Sequence, residues 1–205
     1  MGVRDSGRAG GPEGWEFAAP ETNEPLDWSE VRIRPAPGKW QLQQAVRESH
    51  GWKRVNRRLR TQPVGGAVCV AATDEEEPRV LLVRQERPAP GIWVWEAPRG
   101  GGEGSDQGIE QTALRELREE TGVRAEDPVF IGYQYPDTGT LADRVAVVLA
   151  RVPQGAMSEL AGSRETEEAR FFTTAEIRRM VVRGTVRDSL TLGALLMAHE
   201  WGAAG

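Results

Sequence analysis

Cysteine, histidine and tyrosine are scarce in this chain: one, two and two among 205 residues. A single thiol, Cys69, can form no internal disulfide, so nothing in the sequence points to secretion into an oxidising setting. It lies in the apolar run 66–72 and reads as a small core residue. His50 and His199 are not spaced as metal ligands. No apolar stretch approaches the ~20 residues that span a bilayer. The first twelve residues are glycine-rich and polar and lack the apolar segment of a signal peptide. Basic residues are outnumbered 26 to 31, for a net charge of −5, which gives no general case for nucleic acid or an anionic membrane as partner. These absences together describe a cytoplasmic protein.

What is present falls into three stretches. Residues 1–25 are rich in Gly, Pro and Glu with little periodicity and read as a disordered tail; Trp15 and Phe17 stand out in it as residues that could dock elsewhere. Residues 26–62 alternate in short runs at 31–34, 40–46 and 52–59, with turn chemistry at Pro37-Gly38 and His50-Gly51, as short strands do. A basic run there, from Arg47 through Lys53 and Arg54 to Arg60, reads as one face of a strand pair. Residues 63–205 form a mixed α/β (α+β) domain. Strands are expected at 64–72, 79–84, 92–96, 129–135, 144–152 and 169–172, and helices at 106–121, 174–183 and 188–201. Gly122 and Gly184 serve as helix stops and Asp188 or Ser189 as an N-cap. There is no internal repeat.

The most informative stretch is "PRGGGEGSDQGIEQTALRELREETGV", residues 98–123. A glycine loop leads into a helix on which Glu116, Glu119 and Glu120 fall within an arc of about 100°. Ile109, Ala113, Leu114 and Leu117 make an apolar stripe beside them, so the helix can pack on a sheet with its carboxylates at the edge. Like charges at this spacing cost a few tenths of a kcal/mol per pair in water, and more when partly buried. Arg115 and Arg118 relieve part of the repulsion and a divalent cation relieves more. Convergent carboxylate oxygens suit Mg²⁺ or Mn²⁺, and a loop without Cβ atoms can approach a metal or phosphate closely.

The order strand, glycine loop, Arg-Glu-x-x-Glu-Glu helix, glycine resembles the Nudix box, G-x5-E-x7-R-E-U-x-E-E-x-G-U, in which U is a bulky aliphatic residue. Residues 115–123 match its second half at every specified position, and Gly101 matches its first glycine. Its first glutamate falls on Gln107, with Asp106 beside it; one inserted loop residue brings Asp106 into register instead. "RVLLVRQERPAPGIWVWEAPRG", "YPDTGTLADRVAVVLAR" and "RDSLTLGALLMA" are similar to the matching segments of ADP-ribose pyrophosphatase-type members, so the resemblance spans roughly residues 64–200.

That resemblance implies a mixed sheet between helices with an N-terminal strand appendage. It also implies Mg²⁺- or Mn²⁺-dependent hydrolysis of a nucleoside diphosphate linked to another group, by a homodimer. Glu116, Glu119 and Glu120 are the implied metal ligands, joined by a backbone carbonyl from the stretch Arg99 to Gly101, such as that of Gly101. Arg115 is implied as an orienting partner, with Gln107 near it. Glu167 or Glu168, on a later loop, would take the proton from water, with Glu119 as the rival. Arg87 and Glu96 would line the substrate pocket, and Trp28, Trp40 or Trp52 would stack on a base. Trp93 and Trp95 read chiefly as core. Action on nucleoside triphosphates or capped RNA, or nucleotide sensing without turnover, are the alternatives.

Overall fold

The computed structural model describes residues 34–35, 41–49 and 52–60 as strand backbone, and residues 65–87, 90–138, 143–159 and 167–202 more fully. β1 (Arg34–Pro35), β2 (Gln41–Ser49) and β3 (Trp52–Arg60) form an antiparallel sheet. Ser49 pairs with Trp52, so β2 and β3 are joined by a two-residue connection. The tail, Trp28 and Trp40 lie outside the described residues, as do the side chain of Trp52 and the basic run's side chains.

The main sheet has the order β10-β5-β4-β9-β8, with β6 on β5 and β7 on β4. Its strands are β4 (Ala67–Thr73), β5 (Arg79–Arg87), β6 (Ile92–Glu96), β7 (Arg99–Gly100), β8 (Glu126–Gln134), β9 (Val145–Val152) and β10 (Glu168–Thr173). β4 and β9 run parallel; the other pairs are antiparallel. Residues 67–71 are apolar without a break, which suits a strand covered on both faces. Successive side chains alternate between those faces. Ala67, Cys69 and Ala71 join Leu81, Val83, Val148 and the helix residues Ala113 and Leu117 in one core. Val68 and Val70 join Leu82, Val147, Ile177, Leu190 and Ala194 in the other. The sheet thus lies between α1 (Ile109–Thr121) on one side and α2 (Thr174–Val182) with α3 (Ser189–Glu200) on the other.

β4 and β5 pair at Ala72 and Val80 and then part, β4 continuing beside β7 and β5 beside β6. This fork sets the β6–β7 segment and the glycine loop under the end of α1, which packs on β4 and β7. Leu117 is fully buried there. Leu117→Ala is expected to destabilise the protein by about 2–5 kcal/mol through the cavity it leaves, visible as a lower urea midpoint with an unchanged m-value.

The helix ends follow side-chain chemistry. Asp188 caps α3 by accepting from the Thr191 amide. Thr173 and Glu176 form a reciprocal capping box on α2. Gly122, at φ 76°, closes α1 in the left-handed region, with its amide on the Arg118 carbonyl. α1 begins at Ile109, three residues after the expected start, because Asp106 is drawn into the loop. Asp106 accepts from the Glu103 amide at 2.7 Å and the Thr112 hydroxyl at 2.9 Å, which leaves extended Gly108 as the N-cap.

Candidate active site

Arg115, on α1, is the hub of the glycine loop. Its Nε and Nη2 donate to the two carboxylate oxygens of Asp106, each at 3.1 Å. Nη2 also donates to the Gly101 carbonyl at 2.7 Å, and Nη1 to Glu116 at 3.0 Å and Glu119 at 2.8 Å. The loop before the helix and two helix carboxylates are therefore fixed by one planar donor fork. The neighbouring guanidinium holds the Asp106 carboxyl below its usual range. Asp106 contributes stability above the ordinary carboxylate pKa that is lost as pH falls through its lower folded value. Asp106→Ala would remove the two-oxygen partner of Arg115, which keeps Glu116, Glu119 and the Gly101 carbonyl. The expected cost is about 1–3 kcal/mol, measured by chemical denaturation at pH 7, with Asp106→Asn costing less.

Gln107 is exposed and its backbone amide donates to Gln111 Oε1, while the shorter Asp106 takes the position on Arg115. The Gly101 carbonyl accepts from Arg115. The glycine needed for close approach is Gly100: a Cβ there would lie 2.1 Å from Glu116 Cδ and 2.3 Å from both its oxygens. The loop is bare of side chain at this point so that a glutamate carboxylate can rest on the backbone.

Glu120 lies deeper, at 5% exposure. Gln85 Nε2 donates to it at 2.7 Å and the Arg99 amide at 3.3 Å. Burial raises its pKa to about 7; the charge of Glu116 adds to the rise, while the bond from Gln85 opposes it. Burial, and behind it the charge of Glu120, pushes the Cys69 thiol up to about 12, so that Cys69 is an inert core residue. Glu119 points outward, 57% exposed, and leans on Arg115. The expected ridge of three facing carboxylates is thus a pair, Glu116 and Glu120, with Glu119 at its outer edge. Among the described residues no three His, Cys, Asp or Glu side chains converge at metal-ligating spacing.

Arg87 and Glu96 meet one another. Arg87 Nε donates to both Glu96 oxygens at 2.9 and 3.0 Å, and Nη2 donates to Oε2. Glu96 is almost wholly buried and accepts also from Arg99 at 3.0 Å, which reaches Asp188 at the start of α3. This chain of alternating charges runs beside Glu120, whose field and that of Asp188 are felt at Arg87. Glu167 pairs with Arg84. Glu168 opens β10 opposite Arg84, next along β5 to Gln85, and sits 3.7 Å from Arg170. Trp95 is buried edge-on against Phe172, whereas Trp93 is exposed with Arg84 over its ring.

Sequence reading passed over Gln85, and it drew on residues 99–101 only for a backbone carbonyl, not for the Arg99 side chain or the missing Cβ of Gly100. Gln85 carried a signal: it continues the alternation of Leu81 and Val83 as a polar residue on a buried face.

A family model for the NUDIX domain matches residues 63–189. The ADP-ribose pyrophosphatase of Bacillus subtilis (strain 168) is 34% identical over 127 residues, which are 62% of this chain and 62% of that protein. The ADP-ribose pyrophosphatase of Mycobacterium tuberculosis (strain ATCC 25618 / H37Rv) is 29% identical over 135 residues, 65% of each. The chain therefore spans a little under two thirds of the length of these curated relatives. A crystal structure of an ADP compounds hydrolase shares the fold with a TM-score of 0.59 at 17% identity, covering 83% of this chain and 90% of that one.

Proposed function

The chain belongs to the Nudix family, and on that footing we propose that it hydrolyses the diphosphate of ADP-ribose or a related nucleoside diphosphate sugar, with Mg²⁺ as its metal. The products are a nucleoside monophosphate and a sugar phosphate. The observation that carries this reading is the carboxylate pair on α1, one buried member of which has its pKa raised to about 7 next to the other. Such a pair is costly to a fold unless a cation compensates it.

The residues present fit that metal. Mg²⁺ needs one or two carboxylates, with substrate phosphate and water completing its shell. Glu116 and Glu120 would hold it, with Glu119 within reach at the rim. When bound, it neutralises charge on the diphosphate oxygens and acidifies a water. The remaining work belongs to the chain. Gln85 and the Arg99 amide fix Glu120, and Arg115 fixes Glu116. Arg87, oriented by Glu96, brings positive charge to the diphosphate side. The oxygen of water forms a bond to one phosphorus as the bond from that phosphorus to the bridging oxygen breaks. The water's proton passes to the carboxylate of Glu168 or Glu167, on the segment that leads into β10 beside β5. The ADP-ribose class is supported by what the two curated relatives are named for. The base-stacking role of Trp28, Trp40 or Trp52 stays part of the proposal, as do a homodimer and a cytoplasmic setting. Among the described residues, no helix is long and apolar enough to cross a membrane.

Incubating the full chain with ADP-ribose, other nucleoside diphosphate sugars, nucleoside triphosphates and capped RNA tests the reading. AMP and ribose phosphate from ADP-ribose, dependent on added Mg²⁺, is the expected result. Pyrophosphate from triphosphates as the dominant product, or tight binding with no turnover, would overturn it.

A further inference from the structure

Away from the carboxylate pair, α2 and α3 enclose an apolar groove of 520 Å³ over Val80. Its walls are Ile177, Val181, Val182, Leu192, Leu195 and Leu196. Val182 is 88% and Leu196 62% exposed. Contiguous apolar surface of this kind marks an interaction site on a soluble protein. The rim is basic. Arg178 and His199 border the groove, and Arg179 and Arg183 extend the border along α2. Of the nearby acids, Glu176 is held in the capping box on Thr173, while Glu200 lies 3.4 Å from His199 and leaves the charge of the rim to the arginines. A fitting occupant is therefore aromatic or aliphatic with acidic flanks.

The chain itself contains such a segment. Between Ala9 and Val31 it has Glu13, Glu16, Glu21, Glu24, Asp27 and Glu30 and no lysine or arginine, and Trp15 and Phe17 lie within that acidic stretch. We propose that residues 13–17, Glu-Gly-Trp-Glu-Phe, dock in the α2–α3 groove of their own chain. In extended backbone Trp15 and Phe17 point to the same side, the side that meets the apolar floor. Glu13 at one end, and Glu21 four residues beyond the other, then reach the arginines of the rim. A groove of this volume is in the range that takes a drug-sized ligand, enough for an indole and a phenyl ring together. From Phe17 to Arg34 the chain can extend roughly 55 Å, so the tether does not confine the segment to one side of the domain. Because the segment is tethered, its effective concentration is of millimolar order, and a weak contact suffices to populate the docked state.

Hydrogen–deuterium exchange on the full chain tests this with reciprocal variants. In Trp15→Ala/Phe17→Ala, amides of α2 and α3 should exchange at least about 10-fold faster, while those of β4 and β9 keep their protection. In Val182→Asp, a change at an exposed site that leaves the fold intact, amides of residues 14–18 should lose protection by a similar factor. Arg178→Glu/Arg179→Glu should act like Val182→Asp. No change in α2 and α3 on removing both aromatics would overturn the proposal. Sedimentation supplies the second check: a dimer that dissociates on Val182→Asp while residues 14–18 keep their exchange would mean that a second copy covers the groove.

Discussion

Glu120→Gln should abolish metal-dependent hydrolysis and, in the metal-free protein, make the fold more stable. Both effects come from one carboxylate. Carried by burial from its ordinary 4.5 to about 7, Glu120 in ionised form weighs against folding by up to roughly 3 kcal/mol. The sign follows from proton counting. Between pH 4.5 and 7 the folded state holds the proton that the unfolded state has released, so stability falls as pH rises through that window. Above pH 7 the full cost is present in wild type. A glutamine carries no charge and can still accept from Gln85 Nε2 through its Oε1, giving up only the longer bond from the Arg99 amide. The variant's advantage in denaturant titrations with chelator should therefore be greatest at pH 8 and vanish towards pH 4.5. Its rate loss should be on the order of 10²–10³ or more, as for removal of a group that stabilises developing charge. Greater stability bought by a dead site is what a functional carboxylate predicts; loss of stability at pH 8 would identify Glu120 as a structural residue.

Gly100→Ala should lower kcat by about 10²-fold or more with little change in thermal stability. The added Cβ would collide with the end of the Glu116 side chain, not with backbone. Gly100 has no left-handed φ, so alanine fits its conformation. The side chain yields, the fold survives, and the carboxylate leaves its place on the loop. Displacements of this size near the chemistry cost rate far more than stability. Steady-state kinetics beside a melting curve check it. A full rate with Glu116 displaced would remove Glu116 from the metal site.

Much of this was legible in the sequence because the relevant signals are local. The apolar run through residues 67–71, the stripe Ala113–Leu117 and the cap chemistry of Gly122 and Asp188 each act within a few residues, and each element lies close to its expected place. β7 was missed: two residues paired at Ala67 and Val68 leave no periodicity to detect. The later start of α1 was missed because Asp106 is satisfied by contacts up to nine residues away, including Arg115. In the site, the helix glutamates follow from spacing. Which of them turns inward does not, because Gln85 and Arg99 reach Glu120 from 35 and 21 residues away through strand register. The pairing of Arg87 with Glu96 depends likewise on the β5–β6 hairpin, which turns a surface arginine in the sequence into a held one.

The central claim is that Glu116 and Glu120 form a divalent-cation site. Manganese titration followed by electron paramagnetic resonance, at pH 8 with a non-hydrolysable ADP-ribose analogue present, tests it most directly. The account predicts saturable binding by wild type and by Glu167→Gln, weakened at least about 10-fold in Glu116→Gln and in Glu120→Gln. Equal affinity in all four proteins would contradict it.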